Sequence, residues 1–249
     1  MGVPSFSGVF LSNRPIMKNL AIATLLVSSL LLSSCLEEDP GPRQSDSRTY
    51  TITDFDRVAA SDALIITINQ GNSFSIQADG DRRNLDDLMI YKNGSTLVIR
   101  YDHYEKRQYN TSINLTLPAL EGSDFSSAVS ANISGFTNVN QFDLTLSGAS
   151  LAQLDMEVSE LNFSLSGASQ LQLNGKGQTL NGTLSGASLL SAFNFPSSQA
   201  KLIVTGASNG KVSVSQQLEV NASGASLVQY RGNPQVEIEA SGESIVKPE

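Results

Sequence analysis

From Thr49 onward the apolar residues fall at every second position in short runs, the period of β-strands that bury one face. Tyr50, Ile52 and Val58 open the pattern, and Leu64-Ile65-Ile66-Thr67-Ile68 leads into a turn at Asn69-Gln70-Gly71-Asn72, after which Phe74-Ser75-Ile76 resumes it. Asp79-Gly80-Asp81 is a second turn signal, and Asn84 to Leu88 suits one short helical turn. Met89-Ile90-Tyr91 then passes through Lys92-Asn93-Gly94-Ser95 to Leu97-Val98-Ile99, where Asn93-Gly94 predicts a type I′ hairpin. After a charged, aromatic interval the alternation returns at Ile113, Leu115 and Leu117 and stops at Pro118. Residues 49–118 are expected to form an all-β entry region that covers the first rung of a solenoid.

Beyond Pro118 the chain becomes repetitive. Ser147-Gly148-Ala149-Ser150 returns around Gly167, Gly186, Gly206, Gly224 and, with Glu243 in place of the alanine, Gly242; the glycines are spaced by 19, 19, 20, 18 and 18 residues. Six, four and two positions before each glycine the residues are mostly apolar, as in Phe142, Leu144 and Leu146 or Leu161, Phe163 and Leu165. The same parity continues four and six positions after it, as in Ala152 and Leu154. These columns should point inward, and with them the repeated glycine and the second serine, while Thr145, Ser164, Thr183 and Asn221 face water. A degenerate earlier coil is expected from Leu120, with Phe125-Ser126-Ser127-Ala128 in the motif's place.

Self-similarity at this period marks a solenoid, in which each unit buries its apolar face against the next. The spacing is too short for a strand plus helix, so the fold class expected is all-β: a right-handed parallel β-helix (solenoid) of about 18–20 residues per coil with an N-terminal β-rich capping region. Six or seven coils at about 4.8 Å each give a rod of about 30 Å. The glycines Gly148, Gly167, Gly186, Gly206, Gly224 and Gly242 are structural repeat positions, suited to a corner whose dihedrals other residues avoid. The serines can bond to one another or to the backbone. A row of equivalent serines does not resemble one activated nucleophile. The last coil ends at Lys247-Pro248-Glu249, a thin cover for unpaired strand edges, so self-association of two copies through the C-terminal solenoid end is expected.

Composition places this rod in a compartment. Met17-Lys18-Asn19, the apolar run Leu20 to Leu32 and Leu32-Ser33-Ser34-Cys35 together match a bacterial lipoprotein signal. Residues 1–34 are thus expected to be a signal peptide with an N-terminal extension, 35–48 a lipidated tether, 49–118 the entry region and 119–249 the β-helix repeats. Cys35, the single cysteine of the chain, would carry the acyl chains that hold the protein to the membrane. The acidic Leu36-Glu37-Glu38-Asp39 next to it resembles the surface-export signal of some Gram-negative lipoproteins, and equally suits a solvated spacer. The expected location is a Gram-negative cell envelope, at the outer membrane. A net charge of −8 without a basic patch excludes a nucleic-acid surface.

Candidate chemistry is sparse. One histidine, His103, excludes a multi-histidine metal cage, and one cysteine excludes a thiolate site, so no metal and no cofactor is expected. Asp143, Asp155, Glu157 and Glu160 lie on one or two early coils and Glu219, Glu237 and Glu239 on late ones, and by spacing they do not converge as a polysaccharide-cleaving pair must. The densest aromatic and charged stretch is Tyr101 to Tyr109. Within it Tyr101, His103, Tyr104, Arg107 and Tyr109 could stack on and hydrogen-bond a sugar, or simply form an exposed hairpin tip.

The Ser-Gly-Ala-Ser ladder, the entry region ending in Leu115-Thr116-Leu117-Pro118-Ala119-Leu120, and Tyr230-Arg231-Gly232-Asn233-Pro234 resemble the auto-transporter adhesin head GIN domain family, a domain of unknown function, over about residues 50–246. The resemblance implies a secreted or lipid-anchored bacterial β-solenoid and supplies no catalytic residue. Taken together, a non-catalytic, lipid-anchored envelope protein is expected, serving as an adhesin or surface scaffold. The alternatives are a carbohydrate-binding or polysaccharide-processing envelope protein, or a role in envelope assembly or signalling. Glycans or surface proteins are the partners to look for.

Overall fold

The computed structural model describes Gly2 and residues 41–249, so the signal segment, Cys35 and the acidic cluster lie outside the described residues. The unit Arg43–Glu249 carries every element described. It begins with β1 (Ser45–Tyr50), β2 (Arg57–Ala60), β3 (Ile65–Gln70), β4 (Ser75–Asp81), a short helix α1 (Arg82–Asp86), β5 (Leu88–Asn93), β6 (Thr96–Tyr101), β7 (Ser112–Leu117) and β8 (Gly122–Phe125). Five long strands come next, β9 (Ser130–Leu146), β10 (Leu151–Leu165), β11 (Gln170–Leu184), β12 (Leu189–Val204) and β13 (Asn209–Ala222). The coil after β13 is split into β14 (Leu227–Arg231) and β15 (Gln235–Ala240), and β16 (Ile245–Pro248) begins the next one beside β14.

All pairings from β9 onward are parallel, so the repeats form a β-solenoid. Seven corners mark its turns, from Ser126 to Ser244. Each long strand serves two faces. Its first part pairs after the corner, as Leu151 with Ser130, and its last part before the next corner, as Leu161 with Phe142. Between them the register shifts, at Asp155 to Val158 in β10 and at Ala192 to Pro196 in β12, and there the strand bends from one face to the other. Up to β13 the inward columns are buried as the alternation predicts, and Thr145, Ser164, Thr183 and Asn221 are exposed.

Small residues in the inward columns are matched to large ones. The ring of Phe163 occupies the space beside Gly182, where even a Cβ would overlap it, so glycine here answers a packing need.

The entry region does more than cover a rung. β2 with β3, and β6 with β7, are themselves rungs joined by a corner and run parallel to β8 and β9. The β2–β3 rung lies between β6–β7 and β8–β9, so spatial order departs from chain order. β4 and β1 then add antiparallel beyond β7, and β5 adds antiparallel beyond β6. Three local expectations change. β1 starts at Ser45, so residues 45–48 of the expected tether pair with Asp81 to Ala78. In the β5–β6 hairpin only Gly94 is left-handed, at φ 61°, and Asn93 pairs with Thr96, which is the pattern of a type II′ turn rather than I′. The helical turn begins two residues early because Asp81 caps it, accepting from Arg83 N at 3.0 Å.

The corner glycines also differ from expectation. The second serine of each motif is buried from Ser150 to Ser226, but the glycine is exposed, because Gly-Ala forms the tip of a tight turn that interrupts the strand. Each serine closes its own corner or reaches the coil before. Ser150, Ser169 and Ser188 donate to the carbonyl three residues back at 2.8, 2.8 and 2.7 Å, and Ser226 donates to Val204 O at 3.4 Å. The hydroxyls satisfy backbone carbonyls and form no reactive row.

Candidate functional site

Most corners take four residues, but the β6–β7 rung spends ten, Asp102 to Thr111, on the same bend. This enlarged corner contains the aromatic and charged stretch. Tyr101 is buried at its base, and its hydroxyl bonds Thr111 Oγ1 at 2.7 Å. The Arg107 guanidinium lies 3.6 Å over the Tyr101 ring, a cation–π contact. Arg107 also pairs with Asp87 and donates to Asn84 Oδ1 at 3.3 Å and to His103 O at 3.1 Å. Asn84 Nδ2 in turn donates to Tyr109 O at 2.8 Å. The loop is therefore bolted to α1 and to Asp87 just beyond it.

Asp87 is the hub. Its Oδ1 meets His103 Nδ1 at 2.6 Å and its Oδ2 accepts from His103 N at 3.2 Å. Burial pushes the Asp87 carboxyl up, but the hydrogen bonds from His103 and Arg107 outweigh it and hold the carboxyl below its ordinary value. The hydrogen bond to Asp87 raises His103, helped by the charges of Asp87 and Asp102. Burial raises the Tyr101 phenol. Asp87, Asp102 and His103 bring ligand atoms within 4.8 Å of one another, yet both Asp87 oxygens are engaged and Arg107 already supplies the cation. The trio works as an ion-pair cluster.

The five sequence-predicted residues are thus brought to one corner but divide by role. Tyr101 and Arg107 are internal supports, Tyr109 is half-buried and contributes its carbonyl, and His103 is exposed but fixed by Asp87. Tyr104 is fully exposed. Beside it runs a groove of about 740 Å³, lined by Asp62, Arg100, His103, Tyr104 and Glu105 over a floor that includes Ala128 and Gly148. Asp62 and Asp87 were missed because they come from distant parts of the chain, the β2–β3 corner and the end of α1. Asp87 carries no signal in the sequence. Asp62 could have been found by extending the repeat alignment backward, since it stands in the β2–β3 corner where later coils place glycine.

Elsewhere the surface is laddered. On the face before the corners Asn162 donates to Asp143 at 3.2 Å and Asn181 to Asn162 at 3.0 Å, beside a shallow depression of about 400 Å³. The carboxylates do not converge. Asp143 faces Arg57 at 3.3 Å, Glu157 pairs with Lys176 at 3.0 Å and Glu219 with Lys201 at 2.6 Å.

Residues 54–234, which span both the entry rungs and the solenoid, match the family model described as "Putative auto-transporter adhesin, head GIN domain". The chain belongs to this family. Solved structures of similar fold include a putative adhesin from Bacteroides fragilis NCTC 9343, with 18% identity, a TM-score of 0.73, and 83% of this chain and 98% of that one covered. A putative adhesin from Parabacteroides merdae ATCC 43184 has 15% identity and a TM-score of 0.67, over 82% and 96% of the two chains. A protein described as a putative lipid binding protein, from Parabacteroides distasonis ATCC 8503, has 18% identity and a TM-score of 0.66 over 82% and 96%. No curated protein matches the sequence. The GIN-domain description names no catalytic activity, and it points to the bacterial surface or envelope. Among the described residues no helix is long and apolar enough to cross a membrane.

Proposed function

We propose that this GIN-domain protein is a non-catalytic adhesin or surface scaffold, held to the outer membrane of a Gram-negative cell by lipid on Cys35. The observation that carries the reading is the solenoid itself. Its two faces present polar side chains in register, bonded along the coils as Asp143, Asn162 and Asn181 are, with the carboxylates tied to neighbours. Such a surface is preorganised for contact and has no assembled acid–base pair for chemistry. The anchor rests on the sequence: a basic start, an apolar run and Leu32-Ser33-Ser34-Cys35. Two or more acyl chains at that cysteine give durable membrane attachment where one would be marginal.

Growth with an alkyne fatty acid, followed by click labelling, tests the anchor. Wild type should label and Cys35→Ala should not; an unlabelled wild type removes the lipid from the reading. Protease added to intact cells tests the adhesin role: the protein should be lost from unbroken cells, and full protection would place it inside the envelope, out of reach of an external partner.

A further inference from the structure

We infer that the groove at the enlarged corner binds a neutral saccharide, with Tyr104 as its stacking platform and Asp62, Glu105 and Arg100 as its hydrogen-bonding groups. This deepens the adhesin reading, and rests on it, by naming what the surface would hold.

The loop is larger than its structural task requires. Four residues turn the chain at Ser126–Val129 and in all six later corners, and at Ser61–Leu64 in the adjacent rung; only the β6–β7 corner carries ten. The additional residues are held in place, through Arg107 on the Tyr101 ring and on Asp87, and Asn84 on Tyr109 O. A loop already ordered loses little freedom when it takes a ligand.

The fixed loop displays Tyr104 with its whole side chain in water, where it adds nothing to the core. The groove beside it is lined on one side by small corner residues, Ala63, Ser127, Ala128 and Gly148. The groove, about 740 Å³, has room for one or two sugar rings, given the usual range of ligand sites.

Charge selects the class. Around the opening the carboxylates of Asp62, Asp87, Asp102 and Glu105 face Arg100, Arg107 and the His103 imidazole, which Asp87 and Asp102 share, so a slight acidic excess remains. That acidic balance repels phosphate, sulfate and uronate groups. Carboxylates accept and never donate when ionised, so they suit neighbouring hydroxyls on a neutral ring, while Arg100 can donate to a ring or hydroxyl oxygen. The apolar face of a hexose matches an aromatic ring, which offers contact area with few rotors to freeze.

The test is an array of neutral oligosaccharides, built of hexoses, N-acetylhexosamines and deoxyhexoses, probed with the full chain in detergent micelles. Wild type should bind at least one saturably, and Tyr104→Ala and Asp62→Asn should each weaken that binding at least tenfold. Asparagine tolerates the left-handed backbone at position 62, where φ is 70°, so the fold survives the change. Asn72→Ala, in the exposed turn between β3 and β4, should bind as wild type does. Absence of binding to every neutral glycan, or equal binding by Tyr104→Ala, overturns the inference. Cells that adhere equally with wild type and Tyr104→Ala sink the saccharide site and leave the adhesin; a protein that binds glycans but is shielded from protease on intact cells does the reverse.

Discussion

Glycine is required at the repeated corners for two separable reasons, and they do not apply equally along the rod. Every motif glycine from Gly148 to Gly242 is left-handed, a region that costs an L-residue about 1–2 kcal/mol. From Gly186 on, a Cβ would also meet the carbonyl oxygen of the preceding corner, at 2.5 Å for Gly186 and 2.6 Å for Gly224. That carbonyl is placed by a ladder of its own: Ala187 N donates to Gly167 O, Ala207 N to Gly186 O and Ala225 N to Gly206 O, each at 2.8 Å. In the early corners the corner peptide is turned the other way. Ala128 N donates forward to Gly148 O at 3.0 Å, and Asp62 with Ala63, Ser127 with Ala128 and Gly148 with Ala149 are left-handed as pairs. This reversal is why Asp62 and Ser127 can occupy the glycine's place. Accordingly Gly148→Ala should destabilise by about 1–2 kcal/mol from the left-handed backbone, with its Cβ 3.0 Å from Ser127 N, while Gly186→Ala should cost clearly more because its Cβ would lie 2.5 Å from a backbone carbonyl that cannot rotate away. Urea unfolding of the two variants measures the difference, and equal losses would refute the stacking role. The repeat revealed that glycine mattered. It did not reveal the exposed tip, because a tight turn keeps the strand's parity while projecting two residues outward.

At the scale of elements, the enlarged corner is held by a cluster whose charges set its pH range. Asp87 is lowered, so its contribution is present above the unfolded carboxyl pKa and is lost as pH falls through the folded value. His103 is raised, so its contribution is complete below the unfolded imidazole pKa and is lost as pH rises through its folded value. The loop should therefore be most ordered between those limits, in mildly acidic to neutral solution. An NMR titration should show His103 titrating above 6.5, its ordinary value, and Asp87→Asn should bring it back toward that value. Arg107 keeps its place on Tyr101 and Asn84 throughout, so the loop should loosen on deprotonation without leaving its base. An unshifted imidazole would show that the 2.6 Å contact does not persist in solution. The sequence marked this stretch by its density of aromatic and charged residues, yet its spacing could not separate supports from exposed groups. Tyr101 continues the inward parity of Leu97 and Ile99, which was a legible sign that it would be buried.

For the whole molecule, stability should be graded along the rod. Each coil is held by its neighbours on both sides, and repeat proteins of this kind lose order first where a neighbour is missing. The parallel period, and thus the solenoid, could be read directly from the columns of apolar residues. The interleaving of β2–β3 between two later rungs could not, since nothing local in a strand records which rung it joins. The last described strand of this face shows the effect of one-sided support: Leu218 and Val220 are buried in β13, whereas Ile238, one coil later in the column of Val220, is 45% exposed. Leu218→Ala should cost about 2–5 kcal/mol as a core truncation, and Ile238→Ala distinctly less when both are measured at low protein concentration. Among the described residues no strand pairs with the far edge of β15, which offers apolar side chains and backbone groups to a second copy. Light scattering should show the mass rising above that of one chain as concentration increases, with Ile238→Lys returning it to a single chain. A single-chain mass at every concentration rules out self-association, and an Ile238→Ala loss as large as that of Leu218→Ala at low concentration would show that the last coil is already covered.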